Sequence, residues 1–170
     1  VAIGLATFDG AAFEGILVFL AGYLATNIAA FLAVAALSNG EKEAHPLADL
    51  AGLGRRRPFA ASVLTLAMLS LTGLPPTVGF IGKLLVFRAA IDAGLVTLAL
   101  VGVFGSLVSA GYYLRVVYFL WMKEPSREVA PAEEDVLSGA AYILVSAAML
   151  VLGVLPRPLL DIARAAARSL

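Results

Sequence analysis

The chain has 170 residues, 61% hydrophobic and 14% charged, with 12 basic residues balancing 12 acidic ones; its mean hydropathy is +0.96. A soluble domain carries about 25% charged residues, so this chain lacks the charge to coat a water-facing surface. That excludes a disordered segment, a basic nucleic-acid-binding domain and an ordinary soluble enzyme, and it points to an integral membrane protein. There is no cysteine and one histidine, which removes disulfides, thiolate catalysis, cysteine-held zinc or iron–sulfur centres and any multi-histidine metal site.

The chain opens on Val1 inside an apolar stretch, without a basic leader or a small-residue cleavage site. It reads as the C-terminal portion of a longer protein. Charge-free runs of helical length then predict an all-α protein with crossings at about 15–37, 58–92, 94–121 and 137–156. The runs are too long, and alternate too little, for barrel strands.

Thr26 and Asn27 lie in the middle of the first crossing. They are either members of a proton wire or hydrogen-bonding glue between helices. Asp9 and Glu14 flank that crossing and read as interfacial. The loop 38–57 carries Lys42, Arg55, Arg56 and Arg57, and its lone His45 reads as solvated. The loop 122–136 carries Lys123 and Arg127. The bias of positive charge places both loops on the cytoplasmic side. Arg88, Arg157, Arg164 and Arg168 fall on the other side.

The second segment is too long for one straight helix, since 35 residues would reach roughly 50 Å against a hydrocarbon core of about 30 Å. It contains Gly73, Leu74, Pro75, Pro76, Thr77, Val78 and Gly79 in succession. Pro75 and Pro76 lack amide protons, which strips the carbonyls of Leu71 and Thr72 of their helical partners. The segment therefore reads as two half-helices broken at Gly73–Gly79. Irregular backbone at membrane depth persists only where protein buries it or a polar cavity hydrates it, and transporters place ion sites at such breaks.

Lys83 lies just past the break. It is the only charge between Arg57 and Arg88 and sits roughly 13 Å from the helix end at Asp92. Ionisable groups at that depth are costly and point to function. Lys83, close to the dipole-positive start of the second half-helix near Val78–Phe80, is the candidate to take up and release a proton. The other reading pairs it with a carboxylate on a neighbouring helix, and no mid-span carboxylate occurs in this sequence. Ser70, Thr72 and Thr77 surround the break, where their hydroxyls either cap freed carbonyls or hold water along a path.

In the third crossing, Gly102, Ser106 and Ala110, with Gly105 and Ser109, form small-residue stripes that read as helix-packing faces. Arg115 ends the charge-free run and reads as snorkelling to the interface. Tyr112, Tyr113, Tyr118 and Trp121 cluster toward that end as an aromatic belt. The acidic run Glu133–Asp135 reads as solvated loop. Residues 158–170 read as a short amphipathic helix in the membrane interface, with Asp161, Arg164 and Arg168 on one face. The domain division is thus 1–157 for the membrane part and 158–170 for the tail.

Three strings are recognisable: Asp49-Leu-Ala-Gly-Leu-Gly-Arg-Arg-Arg-Pro58, Met68-Leu-Ser-Leu-Thr-Gly-Leu-Pro-Pro-Thr-Val-Gly-Phe-Ile-Gly-Lys83 and Gly111-Tyr-Tyr-Leu-Arg-Val-Val117. With them, nearly the whole chain resembles the antiporter-like membrane subunits of bacterial NADH-quinone oxidoreductase (complex I), in the branch of subunit N. The Gly-Phe-Ile-Gly-Lys string after Leu-Pro-Pro is specific to that family, and the other two favour subunit N over subunit L. Subunit M usually has a glutamate at the level of Lys83.

The resemblance implies a fourteen-helix fold with inverted repeats, of which this chain covers the last four helices. It implies that Lys83 matches the family lysine in the proton half-channel opening away from the cytoplasm, while the family's glutamate–lysine pair and central lysine belong to earlier helices. Where some members carry histidine or lysine near the level of Thr26 and Asn27, this chain is neutral.

The function so implied is proton translocation coupled to electron transfer from NADH to quinone, in a multi-pass subunit of the bacterial inner membrane. The expected partners are other membrane subunits, the lipid bilayer and protons, with no nucleic acid. NADH, flavin, iron–sulfur clusters and quinone are expected in other subunits and no cofactor or metal in this chain. The alternatives are a subunit of a multisubunit sodium/proton antiporter and a non-transporting structural membrane subunit.

Overall fold

The computed structural model describes residues 1–7, 10–38, 47–125 and 136–167, and in them the chain is all-helical. Asp9, Lys42, His45, Arg127, Glu133–Asp135 and Arg168, given roles above, lie outside the described residues. The helices are α1 (Ala2–Leu5), α2 (Gly10–Leu37), α3 (Leu53–Arg56), α4 (Pro58–Thr72), α5 (Val78–Asp92), α6 (Val96–Met122), α7 (Val136–Val154) and α8 (Arg157–Ala167). A short 3-10 turn, Ala48–Leu50, precedes α3.

The segments expected to cross appear in order, with shifted edges. α2 starts five residues earlier than its charge-free run, because Glu14 is accommodated inside the helix by an ion pair with Arg164 at 3.0 Å. α6 starts at Val96 rather than 94, after a glycine-terminated stop of α5. The tail helix starts at Arg157. By length and composition, Ala12–Leu37 and Val96–Met122 each suffice to cross a membrane. The stretch Gly139–Val154 qualifies only together with Arg157–Ala167, across a 76° bend. α4 and α5 have 15 residues each, about 22 Å of helix, and neither spans a bilayer core alone.

α4 and α5 follow one another along α2, antiparallel to it. Gly15 of α2 faces Leu85 and Val86, Phe19 faces Gly82, and Gly22 faces Val78. Further along, Thr26 meets Ser70, and Arg57, at the head of α4, donates to the carbonyl of Ala36 near the end of α2. The two half-helices thus trace one discontinuous path beside a continuous helix. α6 runs back along their other side: Gly102 approaches Phe87, the Trp121 indole N–H donates to Thr65 Oγ1 at 2.8 Å, and the Gly52 amide donates to the Phe119 carbonyl at 3.1 Å.

The core surrounds α4, where Ala60, Ala61, Leu64 and Ala67 are buried against Ala33 and Leu37 of α2, Leu120 of α6, and Tyr142 and Met149 of α7. The outer face of α6 is the reverse of a soluble protein's: Leu100, Phe104 and Leu107 are 64%, 67% and 71% exposed. An apolar stripe of that kind belongs against lipid or another protein rather than water.

α7 ends against the break. At Gly153 a β-carbon would collide with the Pro76 carbonyl oxygen and the Thr77 carbonyl carbon, so only glycine lets the end of α7 close on that stretch. Gly153→Val is therefore expected to push α7 away and to cost about 1–3 kcal/mol, read as a lower unfolding midpoint in detergent. An unchanged midpoint would show that α7 is not seated there.

Candidate functional site

The site begins with the way α4 ends. Gly73 adopts φ +88°, the left-handed conformation that glycine enters without penalty. Its amide donates to the carbonyls of Ser70 at 3.0 Å and Leu69 at 3.1 Å, and the Leu74 amide also donates to Leu69, at 3.1 Å. This is a Schellman stop. It leaves the carbonyls of Leu71 and Thr72 without amide donors, and Pro75 and Pro76 have none to give. The Pro75–Pro76 bond is cis. Thr77 is extended (φ −91°, ψ 156°) and α5 starts at Val78, so the irregular stretch ends at Thr77, two residues short of the expected Gly79.

Lys83, in the second turn of α5, supplies the missing donors. Its Nζ donates to Leu71 O and to Thr72 O, each at 2.9 Å. The lysine of one half-helix thus caps the C-terminal end of the other, where the peptide dipoles leave partial negative charge. The expected neighbourhood of Lys83 was the positive start of α5; the side chain instead carries its ammonium back to the negative end of α4. Its partners among the described residues are backbone carbonyls rather than a carboxylate.

A second set of contacts locks the half-helices to α2. Thr26 and Ser70 are each 1% exposed. Thr26 Oγ1 donates to the Gly22 carbonyl at 2.7 Å, and a hydroxyl has one proton to give. In the 3.0 Å contact between Thr26 Oγ1 and Ser70 Oγ, Ser70 is therefore the donor. Ser70 Oγ in turn accepts the Gly79 amide at 3.3 Å. The chain of bonds runs from α5 through α4 to α2, starting on an amide and ending on a carbonyl.

These residues border a cavity of about 380 Å³. α2 contributes Phe19, Tyr23 and Thr26, and α4 and α5 contribute Ser70, Leu71, Gly79 and Lys83. α6 forms the far wall with Gly105, Ser106, Ser109 and Tyr113. The structure therefore brings Lys83, Ser70 and Thr26 together at one cavity. It places the other expected site residues elsewhere, each turned to its own backbone: Thr72 Oγ1 donates to Met68 O at 2.8 Å, Thr77 Oγ1 to Leu74 O at 2.7 Å, and Asn27 Nδ2 to Tyr23 O at 2.7 Å. Pro75 and Pro76 are exposed.

The polar wall on α6 is what sequence reasoning missed. Its stripe of small residues does pack at Gly102, against Ile3 and Phe87, but none of the described residues lies within 4 Å of a β-carbon at Gly105. The available signal was that Ser106, Ser109 and Tyr113 recur at helical spacing and bear hydroxyls on one face. Arg115 is exposed and lies 5.8 Å from the centre of the Phe119 ring. Among the described residues no cluster of three or more His, Cys, Asp or Glu could hold a metal ion.

A family described as NADH:quinone oxidoreductase/Mrp antiporter, TM, matches residues 1–109. The chain is 42% identical over 149 residues to NADH-quinone oxidoreductase subunit N 2 of Roseiflexus castenholzii, covering 88% of this chain and 30% of that one. It superposes on a chain of respiratory complex I from Thermus thermophilus with a TM-score of 0.72 at 35% identity, covering 89% of this chain and 35% of that chain. It also superposes on a chain of the Mrp complex from Dietzia sp. DQ12-45-1b, with a TM-score of 0.82 at 24% identity, over 98% of this chain and 39% of that one; at that identity the likeness is one of fold alone. The chain spans about a third of the length of the curated relatives it matches.

The hydroxyl chain makes a measurable prediction. Ser70→Ala deprives the Gly79 amide of its acceptor and is expected to cost about 1–3 kcal/mol. Combined with Thr26→Val in a double-mutant cycle, it should show a coupling of about 1 kcal/mol, measured by denaturation in detergent. Strict additivity would mean that the two hydroxyls do not act as one chain.

Proposed function

This chain belongs to the NADH:quinone oxidoreductase/Mrp antiporter transmembrane family, and from that membership we propose that it works as part of a subunit N-type, proton-translocating membrane subunit of an NADH:quinone oxidoreductase. Its place is the bacterial inner membrane, crossed four times, with α4 and α5 acting as one broken crossing and α8 lying in the interface. Residues 1–157 form the translocating part and 158–170 the tail. Its partners are the other membrane subunits and the surrounding lipid. Electron transfer belongs, on this reading of the family, to other subunits.

The observation that carries this reading is the placement of Lys83. A single lysine bridges the two halves of a broken helix and borders a cavity whose other walls present hydroxyls. Lys83 holds and releases the proton. Ser70 and Thr26 support the path by fixing α4, α5 and α2 around it. Thr72, Thr77 and Asn27 support it by satisfying backbone near it, and Pro75 and Pro76 by keeping the break open. The drive is electrostatic. A unit charge arriving about 4 Å away at an effective dielectric near 20 contributes about 4 kcal/mol, which changes proton occupancy by about three orders of magnitude.

The test is proton pumping and NADH:quinone turnover measured together in membranes carrying the complex. Lys83→Ala is expected to lower both sharply, pumping more than turnover, while assembly persists. Lys83→Arg keeps the donors and the charge but does not surrender a proton; it is expected to assemble well and pump poorly. Wild-type pumping by both variants would leave Lys83 a structural cap, as a non-transporting subunit requires. Sodium-dependent proton exchange without NADH turnover would favour an antiporter subunit instead.

A further inference from the structure

An ammonium has three N–H bonds. Two of those of Lys83 are committed to Leu71 O and Thr72 O, and the side chain borders the cavity that Thr26, Ser70 and Ser109 also line. The lysine stem reaches the carbonyls by crossing over Gly73. A β-carbon at Gly73 would lie 2.9 Å from Lys83 Cδ, 3.4 Å from Cε and 3.3 Å from Nζ. The glycine that ends α4 is also the floor on which the lysine rests.

We propose that Gly73 and the carbonyls of Leu71 and Thr72 form a seat that positions Lys83 for proton exchange, holding two of its N–H bonds and leaving the third position to the cavity. This rests on the reading of Lys83 as a proton carrier. On release, the third N–H bond breaks, its electron pair stays on Nζ and the proton passes to a water molecule in the cavity, which has room for several. The neutral amine keeps two N–H bonds for the same two carbonyls, and its lone pair takes the position the proton left. Loading reverses the step. The side chain exchanges its proton without leaving the seat, so the broken helix stays capped in both states. Gly73 is accordingly a positioning residue, acting through Lys83.

The structure contains its own control. Gly94 ends α5 in the same left-handed conformation, φ +76° against +88° at Gly73, and through the same pair of bonds: Leu95 N to Ala90 O at 2.8 Å and Gly94 N to Ile91 O at 2.9 Å. Nothing among the described residues lies within 4 Å of a β-carbon there. Alanine at either position imposes a similar backbone penalty, but only at 73 does it strike the lysine.

The experiment compares Gly73→Ala with Gly94→Ala in membranes carrying the assembled complex, reading protons moved per NADH oxidised. Gly73→Asn is added because asparagine tolerates the left-handed region yet still carries the intruding β-carbon. The expected result is a loss of protons per NADH in both Gly73 variants and an unchanged ratio in Gly94→Ala. Fewer assembled complexes with a normal ratio would mean a purely structural glycine and would overturn the seat. If Lys83→Ala abolishes pumping while Gly73→Asn keeps the wild-type ratio, the seat falls and the proton-carrying lysine stands. If Lys83→Ala pumps normally, both fall.

Discussion

The two bonds from Lys83 to Leu71 O and Thr72 O are the contact on which the arrangement of this chain turns. A helix that stops within a bilayer leaves carbonyls that water does not reach, and such groups need partners from the protein. Here the partner is a charged side chain from the element that follows. The break and the lysine are therefore one feature: without the lysine the break has bare carbonyls, and without the break the lysine has no acceptors. Removing one side of a partly buried charged hydrogen bond leaves the other group short of a partner, so the pair is held as a unit.

Around that unit the packing is close and comes from three directions. α2 lies along both half-helices and is bonded to them through Thr26 and Ser70. α7 abuts the irregular stretch at Gly153. α6 instead stands off at Gly105, and the cavity occupies the gap. The break is thus rigid on the sides of α2 and α7 and open on the side of α6. That asymmetry gives Lys83 an open space bordered by hydroxyls to face, beside the backbone partners it bonds.

Much of this was legible in the sequence, for identifiable reasons. Two adjacent prolines flanked by glycines announce a broken helix wherever they occur in an apolar run, and the loss of donors to Leu71 and Thr72 follows from covalent chemistry alone. The identity of the replacement donor does not. Lys83 lies 12 and 11 residues from its two acceptors, and meeting them depends on the angle at which α5 leaves the turn, which no local pattern encodes. Expecting the lysine at the positive start of its own helix used the right principle on the wrong terminus, because a long side chain reaches back across the turn. The α6 wall was hidden for another reason. Glycine and serine stripes serve both for close packing and for lining a polar gap, and only the position of neighbouring helices tells them apart. The start of α2 was displaced because an ion pair to a residue far along the chain let a carboxylate enter the helix.

That ion pair has a further consequence. Arg164 of α8 reaches Glu14 of α2, so a residue near the start of the first long helix finds its partner only after 150 further residues have been made. At about 5–20 residues per second, ribosomal synthesis takes roughly 8–30 s to cover that distance. Throughout that interval the nascent first helix carries a glutamate with no arginine from α8 beside it. The Glu14–Arg164 pair is thus among the last contacts of α2 to become possible, after those it makes with α4 and α5.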